Sequence, residues 1–153
     1  MPTIYIDADA CPVKDETYRV AVRHSVPVIA VANTALYIPT NPLISMVSVS
    51  GFGGADDWIA ERIKPGDICI TSDIPLAARC VVAGGLVLDP KGRVLDENTV
   101  GEALAVRDLM TDLREAGTAT GGPGGMTPKH RSKFLAELDR LVVLVKRKVG
   151  RSE

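Results

Sequence analysis

Five of the seven aspartates in the first half of the chain follow predicted strands, a shared location that favours a metal-dependent site. Asp7 and Asp9 stand one residue apart, Asp56 and Asp57 are adjacent, and Asp73 stands alone. Carboxylates held close together repel one another unless a cation or a proton lies between them. Oxygen ligands without a convergent His or Cys favour Mg²⁺ or Mn²⁺ over zinc. We therefore take all five aspartates as candidate catalytic residues.

A cation held by carboxylates supports hydrolysis of phosphoryl or phosphodiester bonds. The metal lowers the pKa of a bound water molecule and offsets the charge on the reacting oxygens. Asn33, Thr71 and Ser72 stand close in sequence to the predicted strand ends and would position the water or a phosphate group. Lys14 is the nearest cation, although a position on a solvated helix face is the favoured interpretation of this residue.

Each aspartate taken alone also has a simpler structural interpretation. Acidic residues are favoured where helices begin, because they cap free backbone N–H groups and interact well with the helix dipole. Asp9 stands just before Pro12, which suits the first turn of a helix. The sequence leaves both interpretations open for a single residue, and only the shared location of the acids favours a site.

The hydrophobic pattern predicts the elements that would bring these acids together. The predicted strands are 4–6, 26–32, 44–49, 68–70 and 86–88. Helical patterns separate them, a turn or hairpin is expected at 89–96, a helix runs from 98 to about 115, and a last helix begins at 127–128. Apolar strands of this kind suit a parallel sheet covered on both faces. Right-handed crossovers then place all strand ends at one edge, where ligands bind.

We therefore predict an α/β fold with a mostly parallel five-stranded sheet flanked by helices. Residues 1–150 would form a single domain, with a flexible Gly-rich loop at 117–126 before the last helix.

The chain of 153 residues is 46% hydrophobic and has a formal net charge of -1, so no bulk basic excess indicates nucleic-acid binding. Without a long apolar run, a signal peptide or a CxxC pair among its 3 cysteines, we expect a cytoplasmic protein with no membrane segment.

Several segments together carry a resemblance to a known family. They are 6–13 (IDADACPV), 31–33 (VAN), 54–59 (GADDWI), 71–77 (TSDIPLA) and 121–123 (GGP). The chain resembles the YaiI/YqxD family of bacterial proteins almost end to end. That family is similar in topology to PIN-like nucleases, which hold divalent metals with acids at the ends of strands one, three and four.

The resemblance implies a PIN-like three-layer sandwich and a nuclease that uses Mg²⁺ or Mn²⁺. RNA or another nucleic acid would be its partner, and the implied metal ligands are Asp7, Asp9, Asp57 and Asp73. Two basic groups, 129–131 and 146–148, would contact phosphates, although solvated helix faces explain such groups as well.

Three other functions are compatible with parts of the sequence. In a haloacid-dehalogenase-like phosphatase, Asp7 would be the nucleophile and Asp9 the general acid. That order of motifs fails later, because the pair 56–57 precedes the Thr-Ser motif instead of following it. A cysteine phosphatase would need an Arg six residues after Cys11, where Thr17 stands. The third alternative is a non-catalytic module that binds a metal or a protein at the acidic edge.

Overall fold

The structure is a computed structural model that describes residues 2–34, 36–50, 54–102 and 126–152. Its strands are β1 (Ile4–Asp7), β2 (Val28–Ala32), β3 (Ile44–Ser48), β4 (Ile68–Ile70), β5 (Leu86–Leu88) and β6 (Val94–Leu95). Its helices are α1 (Lys14–His24), α2 (Gly54–Arg62), α3 (Ile74–Val82), α4 (described over 97–102) and α5 (Pro128–Ser152). A single 3₁₀ turn, Ala8–Ala10, follows β1.

The six strands form one sheet in the order β3-β2-β1-β4-β5-β6. The first five are parallel, and β6 is antiparallel to β5. All five predicted strands are present, so the α/β class and the mostly parallel sheet are confirmed. The predicted number of strands is wrong by one. The second arm of the hairpin at 89–96 adds β6, which has 2 residues and is too short to show an alternating pattern.

The strand order places the most central crevice of the sheet between β1 and β4. The chain leaves β1 toward β2 and β3 on one side, then crosses back to β4 and β5 on the other. Ligands of open α/β sheets bind at such a switch point, outside the carboxyl ends of the strands. Asp7 is the last residue of β1, and Thr71 directly follows β4. We call this side of the sheet the carboxyl edge.

Helices cover the sheet on both faces. Ile4 and Ile6 of β1 pack in one hydrophobic cluster with residues of α1 and α5, whereas Tyr5 between them packs in a second cluster with residues of α2 and α3. Successive side chains of a strand point to opposite faces, so one buried strand supplies both clusters. This explains why the strands are near-continuous apolar runs, and it gives the molecule three layers.

The two helices on the first face run in the same direction. Near the start of α5, Arg131 Nη1 donates to the carbonyl oxygen of Pro12 at 2.9 Å. Farther along, Asp139 Oδ1 lies 2.6 Å from His24 Nε2 at the end of α1, and Lys146 Nζ donates to the His24 carbonyl oxygen at 2.6 Å. Both helices therefore begin at the carboxyl edge and run away from it.

Two sequence predictions fall largely on residues outside the described ranges. The helix predicted from 98 to about 115 is confirmed over 98–102. The rest of it and residues 117–125 of the predicted Gly-rich loop lie outside the described residues. Across the described ranges, no helix combines the length and apolarity needed to cross a bilayer.

At the opposite edge of the sheet, Asp67 connects the start of β1 to the turn before β4. This side chain is buried, and its two oxygens accept hydrogen bonds from the backbone N–H groups of Thr3 at 3.0 Å and Lys64 at 3.2 Å. Burial raises the pKa of its carboxyl group, and the two backbone hydrogen bonds lower it. The entry into β1 and the turn before β4 therefore depend on one acceptor.

We expect Asp67→Ala to lower the free energy of unfolding by about 1–3 kcal/mol, because two backbone donors lose their acceptor. Urea denaturation followed by circular dichroism measures this. The matched control is Asp15→Ala, which removes an exposed aspartate from the first turn of α1 and should change stability by at most about 0.5 kcal/mol. Equal effects of the two substitutions would contradict this account of Asp67.

Candidate active site

A buried hydroxyl joins the carboxyl ends of the two central strands. Thr71 is 2% exposed, and its Oγ1 donates to Asp7 Oδ2 at 2.9 Å. The same oxygen accepts a hydrogen bond from the backbone N–H of Asp73 at 3.0 Å. This chain of contacts fixes the half-buried carboxylate of Asp7 beside the loop that carries Asp73.

Asp73 is the N-cap of α3. Its Oδ1 accepts a hydrogen bond from the backbone N–H of Leu76 at 3.0 Å, and Pro75 lies in the first turn of the helix. The structural interpretation of Asp73 is therefore confirmed. The cap nevertheless lies close enough to Asp7 for its charge to raise the pKa of the Asp7 carboxyl group, so capping does not remove it from the site.

The adjacent pair at the start of α2 divides between two environments. Burial raises the pKa of the half-buried Asp56 carboxyl group, and the charges of Asp73 and Asp7 raise it further. Asp57 is exposed, and its Oδ1 instead accepts a hydrogen bond from Arg79 Nη1 at 2.8 Å. Asp56 is therefore affected by the charges of the central acids, whereas Asp57 pairs with a cation of α3.

Asp9 joins two neighbouring loops. Its Oδ2 accepts a hydrogen bond from the backbone N–H of Asn33 at 2.8 Å, and its Oδ1 accepts one from Thr34 Oγ1 at 3.2 Å. The alternative in which Asp9 caps the first helix is wrong. That helix begins at Lys14, and its N-cap position, Val13, has no side-chain cap. Asp9 instead holds the loop after β2 against the turn after β1.

The centre of the site carries uncompensated negative charge. Burial is the largest cause of the raised pKa of Asp7, and the charges of Asp73 and Asp9 raise it too, while the hydrogen bond from Thr71 lowers it. Arg79 pairs with Asp57, and its effect on Asp56 is smaller than that of Asp73 or Asp7. A proton or a cation at Asp7 would relieve this repulsion.

The oxygen donors at this centre fit a hard cation such as Mg²⁺ or Mn²⁺ in chemical type. The charges of Asp73 and Asp9 act on Asp7. Those of Asp73, Asp7 and, least of the three, Asp57 act on Asp56. Asp9 and Asp57, which belong to the predicted ligand set, have hydrogen-bond partners elsewhere. Among the described residues, no group of three or more Asp, Glu, His or Cys side chains is placed so that it could hold a metal ion. Metal binding stays a prediction.

The three predicted substrate-binding residues have different surroundings. Lys14 Nζ donates to the carbonyl oxygens of Ala8 at 3.3 Å and Cys11 at 2.8 Å, so this amine stabilises the turn after β1. Asn33 and Ser72 are exposed at the carboxyl edge, next to Asp9 and Asp73 respectively. Their positions allow contact with a phosphate group, whereas Lys14 has a structural role.

Two polar residues of the site were not singled out by the sequence. Arg79 binds Asp57 from a position 22 residues later, and Thr34 binds Asp9 from a position 25 residues later. No short-range spacing rule relates such pairs. For Thr34 a weak signal exists, since it follows a predicted strand end beside Asn33.

Cys11 has no properties of a catalytic thiolate. Burial raises the pKa of its thiol to about 11, so the sulfur is protonated at neutral pH. A cysteine phosphatase nucleophile needs a lowered pKa, so the raised value at Cys11 does not favour that mechanism. All three cysteines are buried and free.

Comparisons with known proteins place the chain in a family. The family model described as "Uncharacterized BCR, YaiI/YqxD family" matches residues 5–144. A UPF0178 protein of Rhodopseudomonas palustris (strain HaA2) is 57% identical over 146 residues, which cover 95% of this chain and 89% of the relative. A UPF0178 protein of Gluconacetobacter diazotrophicus is 56% identical over 144 residues, or 94% of each chain. No solved structure matches the chain.

The fold and the site define an α/β protein whose parallel sheet carries an acidic group at its carboxyl edge. Within that class, the chain belongs to the YaiI/YqxD family. The resemblance drawn from the sequence segments is therefore confirmed at the level of the family.

We expect Thr71→Val to raise the pKa of Asp7 further, because the carboxylate loses the hydrogen bond that stabilises its charged form. Carbon-detected NMR titration of the Asp7 carboxyl group measures this. Stability should also fall by about 1–3 kcal/mol, since the Asp73 N–H loses its acceptor.

The matched control is Thr17→Val in α1. Thr17 is also buried, and its hydroxyl donates to the Val13 carbonyl oxygen at 2.9 Å. This substitution removes a buried hydroxyl of the same type but should leave the pKa of Asp7 unchanged. An unchanged Asp7 titration in Thr71→Val would contradict the assigned contact.

Proposed function

We propose that this protein is a divalent-metal-dependent nuclease, a hydrolase of phosphodiester bonds with a PIN-like fold. The observation that carries the proposal is the contact of the Thr71 hydroxyl with the Asp7 carboxylate and with the backbone N–H of Asp73 at the switch point of the sheet. The charges of both acids also act on Asp56. Ligands bind at this position in open α/β sheets. A charged, all-oxygen donor group at that position suits Mg²⁺ or Mn²⁺ and, through the metal, a phosphate.

The location of the acids supports the PIN-like assignment. The family resemblance implies acids at the ends of strands one, three and four. Here Asp7 ends β1, Asp56 lies in the first turn of the helix that follows β3, and Asp73 begins the helix that follows β4. All three lie on the carboxyl edge of the sheet, as the proposed site requires.

The residues of this chain would have separate roles. Asp7, Asp56 and Asp73 would hold the cation, and Thr71 keeps one oxygen of Asp7 in a fixed orientation. When bound, the metal would supply an acidified water molecule and offset the charge on the phosphate oxygens. The exposed side chains of Asn33 and Ser72 would donate hydrogen bonds to the phosphate group.

The proposal is favoured over a phosphatase that uses Asp7 as nucleophile. That mechanism needs Asp9 as a general acid close to the reacting oxygen. Both carboxylate oxygens of Asp9 accept hydrogen bonds from the loop after β2. No contact in the described residues favours the phosphatase, and a panel of phosphate monoesters and diesters separates the two activities.

The first test is calorimetric titration with Mg²⁺ and with Mn²⁺. We expect saturable binding that Asp7→Asn weakens at least about tenfold, which corresponds to roughly 1.4 kcal/mol. Asp15→Asn in the first turn of α1 is the control and should bind as wild type does. With metal present, wild type should cleave RNA or DNA, and both EDTA and Asp7→Asn should abolish cleavage.

Two outcomes would overturn the proposal. Absence of metal binding, or binding unaffected by Asp7→Asn, would leave the aspartates as structural residues. Metal binding without turnover of any nucleic acid would instead indicate a non-catalytic metal-binding module.

The adjacent pair in α2 provides an internal comparison. Because Asp56 is half-buried within the electrostatic influence of Asp7 and Asp73 while Asp57 is exposed and pairs with Arg79, we expect Asp56→Asn to weaken Mg²⁺ binding at least about tenfold. Asp57→Asn removes the same charge one residue away and should weaken it much less. The same titrations measure both variants, and equal losses would show that the cation contacts Asp57 as closely as Asp56.

A further inference from the structure

The start of α5 lies against the loop that carries Asp9. Arg131 Nη1 donates to the Pro12 carbonyl oxygen at 2.9 Å and to Glu16 Oε1 at 3.1 Å. Pro12 is three residues after Asp9 in the connection between β1 and α1. The first turns of α5 are therefore fixed at the carboxyl edge, on the side of β1.

The same helix turns also contact the hairpin that follows β5. Gly92 has φ +91, and a Cβ atom there would lie 2.8 Å from Lys133 Cγ and 2.8 Å from the backbone nitrogen of Phe134. The hairpin follows Leu88, whose carbonyl oxygen accepts a hydrogen bond from the backbone N–H of Thr71 at 3.2 Å. The start of α5 thus spans the edge from the Asp9 loop to the strand next to Thr71.

This segment carries cations that are directed to solvent. Lys129 and Lys133 are exposed and lie four residues apart, so they share one face of α5. Within the described part of the chain, neither has an ion pair or a side-chain hydrogen bond. We call Lys129 and Lys133 the basic rim.

We propose that the basic rim binds phosphates of a nucleic-acid strand on either side of the bond at the acidic site. The inference rests on the proposed function and identifies its substrate as a polymer, not a mononucleotide. The acids repel every phosphate that no metal contacts, so a strand needs cations outside the acidic centre to be held. Arg131 does not supply this charge, because Glu16 pairs with it.

The second basic group of α5 is not part of this surface. Lys146 Nζ donates to the His24 carbonyl oxygen at the far end of α1. Arg147 is exposed and stands 16 residues after Arg131, which is about 24 Å along a helix. Lys64 is exposed at the edge opposite the acids, where its backbone N–H bonds Asp67. Lys64 and Arg147 therefore provide a control with equal charge.

The test compares two double variants, Lys129→Gln/Lys133→Gln and Lys64→Gln/Arg147→Gln, each in an Asp7→Asn background that prevents turnover. Fluorescence anisotropy would follow a labelled single-stranded RNA of about 12 nucleotides in potassium chloride from about 50 to about 200 mM. We expect the rim variant to lose at least about fivefold in affinity and its salt slope to fall by about 1.4, since each phosphate contact contributes about 0.7. The control variant should match its parent.

Further binding measurements identify the kind of nucleic acid that the protein binds. DNA of the same sequence that shows the same lysine dependence supports recognition of the phosphodiester backbone, and preference for RNA supports recognition of RNA in particular. The proposal is overturned if the Asp7→Asn parent binds neither strand, if the control variant loses as much affinity, or if a mononucleotide competes as well as the strand.

The experiments distinguish failure of the basic-rim proposal from failure of the proposed nuclease function. Urea denaturation should show both double variants within about 0.5 kcal/mol of their parent, as expected for exposed substitutions. In the wild-type background, the rim substitutions should leave Mg²⁺ binding unchanged by calorimetry. Binding of the nucleic-acid strand without metal binding would support the basic rim and overturn the proposed nuclease. Metal-dependent cleavage that does not depend on the two lysines would support the nuclease and overturn the basic rim.

Discussion

The hydrogen bond from the Thr71 hydroxyl to Asp7 is the contact on which the candidate site depends. It joins the ends of the two central strands across 64 positions of sequence and lies at the crevice created by the strand order. Because Thr71 is buried and also accepts from the Asp73 backbone N–H, it fixes both the Asp7 carboxylate and the backbone that carries Asp73. The Asp73 side chain is held separately by the backbone N–H of Leu76. Buried polar groups are costly to leave unpaired, so this arrangement is rigid.

Most of the surrounding acids have hydrogen-bond or ion-pair partners. These partners lower the free-energy cost of placing the negative charges close together. Asp9 is held by Asn33 and Thr34, Asp57 by Arg79, and Asp73 by the first turn of α3. The pair with Arg79 is exposed and contributes at most about 1 kcal/mol. Asp7 and Asp56 keep raised pKa values, chiefly because they are partly withdrawn from water and face like charges. The unfavourable electrostatic interactions of the acidic cluster therefore act mainly on Asp7 and Asp56, next to the crevice.

The parallel topology also explains why acidic and basic groups share one edge. Helices α1 and α5 both begin at the carboxyl edge, so residues early in α5 lie near the ends of the strands although they follow them by many positions. The basic residues near the end of α5, such as Lys146, lie at the opposite edge of the sheet, by the end of α1. Two basic groups that look alike in the sequence, 129–131 and 146–147, therefore have different surroundings.

The sequence by itself determined the α/β class, five of the six strands, the family and the location of the acids at strand ends. These features are local, since a buried parallel strand is a continuous apolar run and a cap such as Asp73 stands next to the helix it begins. Only the tertiary structure decided the partners of the acids. Asp9 meets a loop 24 residues away, and the packing of α2 leaves Asp56 half-buried while Asp57 is exposed and bonds Arg79. The pairing of β6 likewise needed β5 beside it, because contacts between distant residues form only when packing brings their elements together.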